Sequence, residues 1–168
     1  MSDLASLQKI FKGDLVTSAD PDYAKAIARW ALNAQRDAKV VAFVKDAEDV
    51  SLAIKYAKAN KLPIAIRGGG HSPVGASSTE GGLVIDLSRH LNGSRVDSER
   101  KVAFVGGGAL WEIVDKTAIE HGLATVGGTV NHVCGFQPLT IEYLNIDLFI
   151  DWCRRVCSVS FVLFGGLV

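Results

Sequence analysis

The chain has 168 residues, 48% of them hydrophobic, and equal numbers of basic and acidic side chains, 18 Lys and Arg against 18 Asp and Glu. This composition excludes an intrinsically disordered chain and predicts one folded domain with a sizeable core. The lack of a basic surplus argues against nucleic acid as the main partner.

The N-terminal residues predict a short helix rather than a targeting segment. They contain no apolar run of the length found in a secretory signal. Leu4, Leu7 and Ile10 instead recur at helical spacing, which favours an amphipathic helix packed on the body. We therefore expect a cytoplasmic protein.

The next forty residues predict a helix, a strand and a second helix. An Asp-Pro pair at 20–21 signals the start of a helix over 22–37. Residues 39–44 form a β-branched, continuously apolar run that is typical of a buried strand. Asp46 is placed to cap the following helix, which ends near Asn60. The inward stripe of the first helix is expected to comprise Ala24, Ile27, Ala28, Ala31 and Leu32.

The pattern continues with strands over 62–67, 83–88 and 101–107, and with a helix from 109 to 120. Asn92-Gly93 is a turn signal before the last of these strands. Because helices and strands alternate irregularly, we predict an α+β fold with a small mixed β-sheet flanked by helices.

The segment 66-IRGGGHSPVGAS-77 directly follows a predicted strand. Glycines 68–70 have no Cβ, so a ligand can contact the main chain and successive N–H groups can converge on an anion. Arg67 can then form forked hydrogen bonds with a phosphate oxygen. The segment is not a Walker A motif, since it has no Lys-Ser/Thr after the glycines. It is not a dinucleotide-binding turn either, since Ser72-Pro73 prevents a helix from starting there. A tight connection between two strands is the alternative interpretation.

The other polar candidates are interpreted structurally, and no catalytic residue or metal site is assigned. Asp86 is expected to be a capping or turn carboxylate, His90 a surface residue, and His121 a residue favouring the end of a helix. The three cysteines have neither the number of a disulfide framework nor the ligand pattern of a zinc site. They are Cys134, Cys153 and Cys157.

The segment 67-RGGGHSPVGAS-77, with 83-LVIDLS-88 downstream, resembles the FAD-binding domain of the berberine bridge enzyme-like oxidases. This is the PCMH-type domain, also named after vanillyl-alcohol oxidase. Further stretches are similar to the family in the same order: 40–60, 62–72, 105–116 and 122–132. The resemblance implies that residues 1–132 are the N-terminal part of such a domain.

FAD is the cofactor that this resemblance implies. His71 corresponds to the residue that in many members bonds covalently to the 8α-methyl of the isoalloxazine, although a solvated loop histidine is the alternative. The residues implied to line the pyrophosphate and ribityl region, besides Arg67, are Gly68, Gly69, Gly70, Ser72 and Gly75. Those implied to approach from the other side are Gly127, Gly128 and Thr129. Some members add a cysteine link, but that position is about Val130 here, so single attachment is expected.

Residues 133–168 depart from the family pattern as an apolar tail without clean periodicity. The apolar run 156–168 is shorter than the roughly 20 residues that span a bilayer. The family oxidises alcohol, sugar or amine-like substrates by two electrons, with dioxygen reoxidising the flavin. Because the glycine-dense continuation and the substrate domain do not follow, we expect a truncated FAD-linked oxidase that is inactive alone. The alternatives are a non-catalytic FAD- or nucleotide-binding remnant or interaction module, and a phosphate-binding enzyme domain unrelated to flavin.

Overall fold

The computed structural model describes residues 3–124, 130–133, 159–162 and 164–165. Its helices are α1 (Leu4–Ile10), α2 (Tyr23–Ile27), α3 (Ala47–Ala59) and α4 (Trp111–Ile119), with a 3-10 turn at Leu32–Ala34. Its strands are β1 (Asp14–Val16), β2 (Val40–Phe43), β3 (Ile64–Arg67), β4 (Leu83–Asp86), β5 (Ser94–Asp97), β6 (Val102–Val105), β7 (Leu123–Ala124), β8 (Val159–Val162) and β9 (Phe164–Gly165).

The main sheet has four strands in the order β1-β2-β4-β3. The pairs β2–β4 and β3–β4 are parallel and β1–β2 is antiparallel, so the sheet is mixed. Both faces are buried. Val40 and Ala42 pack in a cluster with residues of α3, whereas Val41 and Phe43 pack on the opposite face with α2. This arrangement confirms the predicted α+β class, and it explains why β2 is apolar at every position.

Helix α3 begins where its sequence predicts. The Asp46 carboxylate accepts hydrogen bonds from the N–H groups of Glu48 and Asp49, both at 3.0 Å. Asp49 is fully buried and accepts the main-chain N–H groups of Lys12 and Lys45 at 2.9 and 3.0 Å. The start of α3 is therefore joined to the segment between α1 and β1.

The helix predicted over 22–37 is wrong beyond Ile27. Ala28 has ψ of 141°, which ends α2, and the chain turns away from the helical path. Leu32, expected on the inward stripe, is 84% exposed. The physical reason is tertiary: the N–H of Trp30 donates to the carbonyl of Gly70 at 3.3 Å instead of to a helical partner.

β1 and β5 are among the strands that the sequence patterns did not predict, because each has at most four residues and includes polar ones. β1 is held at the sheet edge by Asp14, whose carboxylate contacts His90 Nε2 at 2.8 Å and Arg89 Nη1 at 3.1 Å. His90, predicted as a surface residue, is consequently half-buried. β5 pairs with β6 in a second, antiparallel sheet.

The end of the chain contributes main-chain pairing to this second sheet. β8 runs antiparallel to β6 in that sheet, with Val105 opposite Val159, whereas β9 pairs with β7 in a separate two-stranded sheet. The remainder of the predicted tail, including its three cysteines, lies outside the described residues. In the part of the chain that the structure describes, no helix has the length and apolarity needed to cross a membrane.

Candidate functional site

The glycine-rich loop leaves the C-terminal end of β3 and returns at β4. Its path is held by the polypeptide around α2 and the 3-10 turn. Besides the Trp30–Gly70 hydrogen bond, the N–H of Gly81 donates to the carbonyl of Asp37 at 2.8 Å. The break in the helix predicted over 22–37 therefore helps to position this loop.

Arg67 is the last residue of β3 and forms an ion pair with Asp86 at the end of β4. Its Nη1 lies 2.8 Å from Asp86 Oδ2, and the Asp86 side chain is completely buried. The other oxygen of Asp86 accepts the N–H of Ser88 at 2.8 Å and its hydroxyl at 2.6 Å. Asp86 therefore accepts hydrogen bonds in the turn, as predicted. The same carboxylate also forms an ion pair with Arg67 at the base of the loop.

A second arginine, Arg29, lies beside this pair and is only 7% exposed. Its Nε and Nη2 both donate to the carbonyl of Ser77, at 3.1 and 2.7 Å. Its Nη1 shares the carbonyl of Ala26 with Arg67 Nη1, each at 3.3 Å. This forked contact ties α2 to the far side of the glycine-rich loop.

The two arginines and Asp86 leave one positive charge in excess within the loop base. Burial, followed by the charge of Arg67, lowers the pKa of Arg29 to about 10, while Asp86 opposes that shift. A bound anion would relieve this unfavourable environment, because an opposite charge stabilises a buried cation. The loop base is therefore electrostatically suited to an anionic ligand.

Several polar atoms in and beside the loop are buried without a partner. Among the described residues, no group accepts from Arg67 Nε, and none pairs with the hydroxyls of Ser77 and Ser78. Buried polar atoms in proteins are nearly always satisfied, so unpaired ones commonly indicate a missing ligand or water. These three atoms could form hydrogen bonds with a ligand, in addition to the attraction of an anion by the excess positive charge.

The loop also depends on glycine at Gly70 for two reasons. Its φ is +73°, and a Cβ there would lie 3.1 Å from Arg67 Nε and 3.4 Å from Arg29 Cδ. Gly75 likewise has a φ of +82°. The hydroxyl of Ser72 accepts the N–H of Ala76 at 3.2 Å, which closes the turn around Gly75.

His71 lies in a row of three rings. Its centroid is 5.9 Å from that of Trp30 and 5.3 Å from that of His132. His71 is half-buried, whereas Trp30 and His132 are exposed. The imidazole of His71 is thus oriented between two other rings while remaining accessible from solvent.

His132 reaches this row because its segment is attached to the start of α4. The N–H of Glu112 donates to the carbonyl of Asn131 at 2.7 Å, and that of Trp111 to the carbonyl of Val133 at 3.1 Å. These bonds satisfy N-terminal amides of α4 that have no partner within the helix. The capping of α4 therefore places His132 opposite the glycine-rich loop.

The predicted loop residues lie close together because all of them fall between Arg67 and Gly75 in the sequence. Gly127, Gly128 and Thr129 lie outside the described residues. Sequence reasoning missed Arg29, Trp30 and His132. No local sequence pattern distinguished Arg29 and Trp30 from residues of a helix. His132 could have been found, because it is the last residue of the stretch 122–132 that resembles the family.

Comparison with known proteins shows which family this fold belongs to. Residues 38–135 match the family model of the FAD binding domain. The FAD-linked oxidoreductase YgaK of Bacillus subtilis is 36% identical over 129 residues, which cover 77% of this chain and 28% of the relative. The (R)-6-hydroxynicotine oxidase of Paenarthrobacter nicotinovorans is 30% identical over 142 residues, covering 84% of this chain and 31% of the relative.

Solved structures agree with this result. The 6-hydroxy-D-nicotine oxidase of Arthrobacter nicotinovorans superimposes with a TM-score of 0.72 at 30% identity, covering 74% of this chain and 27% of that one. BBE-like 1 of Physcomitrella patens gives a TM-score of 0.71 at 20% identity over 79% of this chain and 29% of that one, a likeness of fold alone. The fold is that of a PCMH-type FAD-binding domain.

The chain belongs to the FAD-linked oxidoreductases that share this FAD-binding domain, and FAD is its cofactor. It spans less than a third of the length of these relatives. The loop residues fit the cofactor, because FAD carries an anionic diphosphate and the loop base holds an excess positive charge and an unpaired Arg67 Nε.

Proposed function

We propose that the glycine-rich loop binds the diphosphate and ribityl part of FAD and that His71 is the point of its covalent attachment. The observation that carries this proposal is the position of His71, half-buried between two rings and four residues after the arginine of the loop base. An imidazole has a nitrogen lone pair that serves as a nucleophile near neutral pH.

The chain's own groups divide into two sets. The residues that hold the phosphate end are Arg67, Gly68, Gly69, Gly70, Ser72 and Gly75, with Gly127, Gly128 and Thr129 completing the site from the other side. Arg67 contributes its charge and one hydrogen-bond donor, because its Nη1 already pairs with Asp86 while its Nε has no partner among the described residues. His71 orients the isoalloxazine end, and Val130 leaves no thiol for a second link.

The reaction in which this domain takes part is the two-electron oxidation of an alcohol, sugar or amine-like substrate, as in the berberine bridge enzyme-like oxidases. Bound FAD would supply the hydride acceptor, and the protein would supply binding and orientation. Two similar proteins are named (R)-6-hydroxynicotine oxidase and 6-hydroxy-D-nicotine oxidase, and these names support an amine-like substrate. A small-molecule substrate is therefore the second partner that we propose.

The 168 residues by themselves should bind FAD without catalysing turnover. They correspond to 28% and 31% of the length of the two relatives. Hydride transfer requires a substrate held about 3–3.5 Å from the reacting atom in an aligned pose. The described residues 3–124 provide the cofactor loop, and we assign no substrate-binding surface to them. A cofactor-binding module without activity of its own is accordingly the second candidate function.

Acid denaturation of the purified chain after incubation with FAD tests the attachment. We expect flavin absorbance and fluorescence to remain with the precipitated protein, and His71→Ala to abolish them. His121→Ala is the matched control, because His121 is exposed at the end of α4 and distant in sequence from the loop. Flavin that is released from wild-type protein by acid would contradict covalent attachment, and failure to bind FAD at all would contradict the proposed site.

A further inference from the structure

The buried charges beneath the glycine-rich loop do not balance. Arg29 and Arg67 meet at the C-terminal end of α2, where their Nη1 atoms share the carbonyl of Ala26 at 3.3 Å each. The charged groups that act on Arg29 are Arg67 and Asp86. Both oxygens of the Asp86 carboxylate are already engaged, one by Arg67 and the other by Ser88. Within the described residues, one buried positive charge therefore lacks a counter-charge, which is a costly arrangement in a protein interior.

Hydrogen-bond donors at the same place lack acceptors. Arg67 Nε and the hydroxyls of Ser77 and Ser78 are buried, and none of them has a partner in the described part of the chain. Ser77 is in direct contact with Arg29, because its carbonyl accepts both Nε and Nη2 of that residue. A water molecule could pair with these donors, but it would not supply the negative charge. The ligand that satisfies both needs is an anion.

The space beside these donors is narrow. A Cβ on Gly70 would lie 3.1 Å from Arg67 Nε, 3.7 Å from Arg67 Nη2 and 3.4 Å from Arg29 Cδ. The missing side chain of Gly70 therefore leaves room at the edge of the Arg67 guanidinium, and the two arginines bound that room closely. Arg29 and Ser77 are each only 7% exposed, so this part of the loop base is shielded from bulk water. These limits favour an anion of a single atom.

We propose that the loop base is a binding site for one halide ion, such as chloride. Arg67 Nε and the hydroxyls of Ser77 and Ser78 donate to the ion. Arg29 supplies the charge that the ion neutralises. A halide carries one negative charge, which equals the excess, and its spherical shape lets it accept N–H and O–H donors from several directions. The site is built from side chains of the loop base and does not depend on attachment of a flavin at His71.

The halide has a consequence for the cofactor. Resting on the proposed function, the diphosphate of FAD draws on the same excess charge and on the same Arg67 Nε. Because only one excess charge is available in the loop base, FAD and the halide compete for it. The halide concentration thereby regulates how readily the chain takes up its cofactor.

Urea unfolding of the full chain without flavin tests the halide site. Sodium chloride replaces sodium isethionate at constant ionic strength, so that screening of surface charges stays the same. Isethionate is an organic sulfonate much larger than a halide. For a ligand that binds only the folded state, the unfolding equilibrium constant falls tenfold for each tenfold rise in chloride above its Kd. We expect this slope in wild-type protein. Equal stability in the two salts would mean that water alone pairs with the donors, and it would overturn the proposal.

Serine variants locate the effect in the loop base. The double change Ser77→Ala and Ser78→Ala removes two donors and keeps the main-chain carbonyl to which Arg29 donates. It should weaken chloride binding by at least about tenfold, because a hydrogen bond to a charged group contributes that much or more. Ser94→Ala is the matched control, since Ser94 in β5 also has a buried hydroxyl without a partner among the described residues. Equal chloride affinities in the double variant and the control would overturn the proposal.

A second variant removes the charge instead of the donors. Arg29→Gln leaves Arg67 and Asp86 as a balanced pair, so its stability should no longer depend on chloride. If this variant does not fold, the line width of the chloride-35 magnetic resonance signal gives the same information. Wild-type protein should broaden that signal more than the double serine variant does, and bromide should reverse the difference by competition. Equal line widths for these two proteins would contradict the halide site.

Fluorescence titration with FAD at low and high chloride, again balanced with isethionate, tests the competition. The apparent Kd for FAD should rise in proportion to chloride in wild-type protein and stay constant in the double serine variant. The same FAD affinity in both salts would overturn the competition. If FAD binds in neither salt, the proposed function fails. The urea experiment still decides whether the halide site exists, so the two failures remain distinguishable.

Discussion

Arg67 and Asp86 are register partners at the C-terminal ends of β3 and β4, and their side chains form an ion pair of 2.8 Å. The pair lies directly before the glycine-rich loop, so the sheet and the loop share one electrostatic anchor. Because Arg29 is buried beside it, the anchor keeps an excess positive charge when no anion is bound.

Asp86→Asn should lower the free energy of unfolding by about 3 kcal/mol, because it leaves two neighbouring buried cations without a counter-charge. The amide oxygen can still accept from Ser88, so the change isolates the charge. Urea unfolding followed by circular dichroism measures this loss. Asp97→Asn is the control, since its pairing with Arg100 at 3.8 Å is exposed and should be worth less than about 1 kcal/mol. Equal losses in the two variants would contradict the anchor.

Arg29→Lys should loosen the glycine-rich loop while preserving the charge. A lysine ammonium cannot reproduce the fork in which Nε and Nη2 both bind the carbonyl of Ser77. We expect faster amide hydrogen exchange in residues 72–78 and weaker FAD binding. The exchange of α3, on the other side of the sheet, should remain at the wild-type rate. Unchanged protection of 72–78 would show that the fork does not hold the loop.

Gly70→Ala should lower the free energy of unfolding by more than Gly81→Ala does. Both residues have positive φ, which costs an alanine about 1–2 kcal/mol. At Gly81 an added Cβ meets nothing within 4 Å, whereas at Gly70 it would lie 3.1 Å from Arg67 Nε. Gly70→Ala should therefore also displace the guanidinium and reduce FAD affinity, which fluorescence titration can measure.

Gly93→Ala is the control for this pair, because Gly93 has open space around it and no positive φ. Its free energy of unfolding should stay within about 0.5 kcal/mol of wild type. Loss of FAD affinity in Gly81→Ala comparable to that in Gly70→Ala would mean that backbone strain alone, rather than the contact with Arg67, explains the effect.

Asp46→Asn should lower the free energy of unfolding near neutral pH. The difference from wild type should disappear in acid. The hydrogen bond from Lys12, followed by the N–H of Asp49, holds the pKa of Asp46 below its usual 3.8. A carboxyl whose pKa is depressed on folding contributes stability above its unfolded pKa, and this stability disappears as the pH falls through the folded value. Since Asp46 is 41% exposed, the effect at pH 7 should not exceed about 1 kcal/mol.

Urea midpoints of wild type and Asp46→Asn at pH 7, 5 and 3 measure this difference. The midpoints should differ at pH 7 and 5 and converge toward pH 3. Asp22→Asn is the control, because its side chain makes no capping hydrogen bond at α2 and its contact with Lys25 is 3.9 Å long and exposed. A difference that grew in acid would contradict the assignment.

Local sequence patterns determined much of this protein. The β-branched run of β2 and the capping carboxylate of Asp46 correctly predicted a strand and a helix, because burial and capping act over a few neighbouring residues. The consecutive glycines before His71 likewise indicated an anion-binding loop, and their context indicated the cofactor class.

Only the tertiary structure decided how that loop is completed. The apolar stripe over 22–37 satisfied a helical period, yet α2 stops at Ile27. Arg29 and Trp30 instead find partners in the glycine-rich loop, 48 and 40 residues away. The contacts of Asp86 with Arg67 and of His132 with His71 likewise join distant segments. Local propensity is worth a few tenths of a kcal/mol per residue, whereas a buried charge must find a partner, so the long-range contacts prevail.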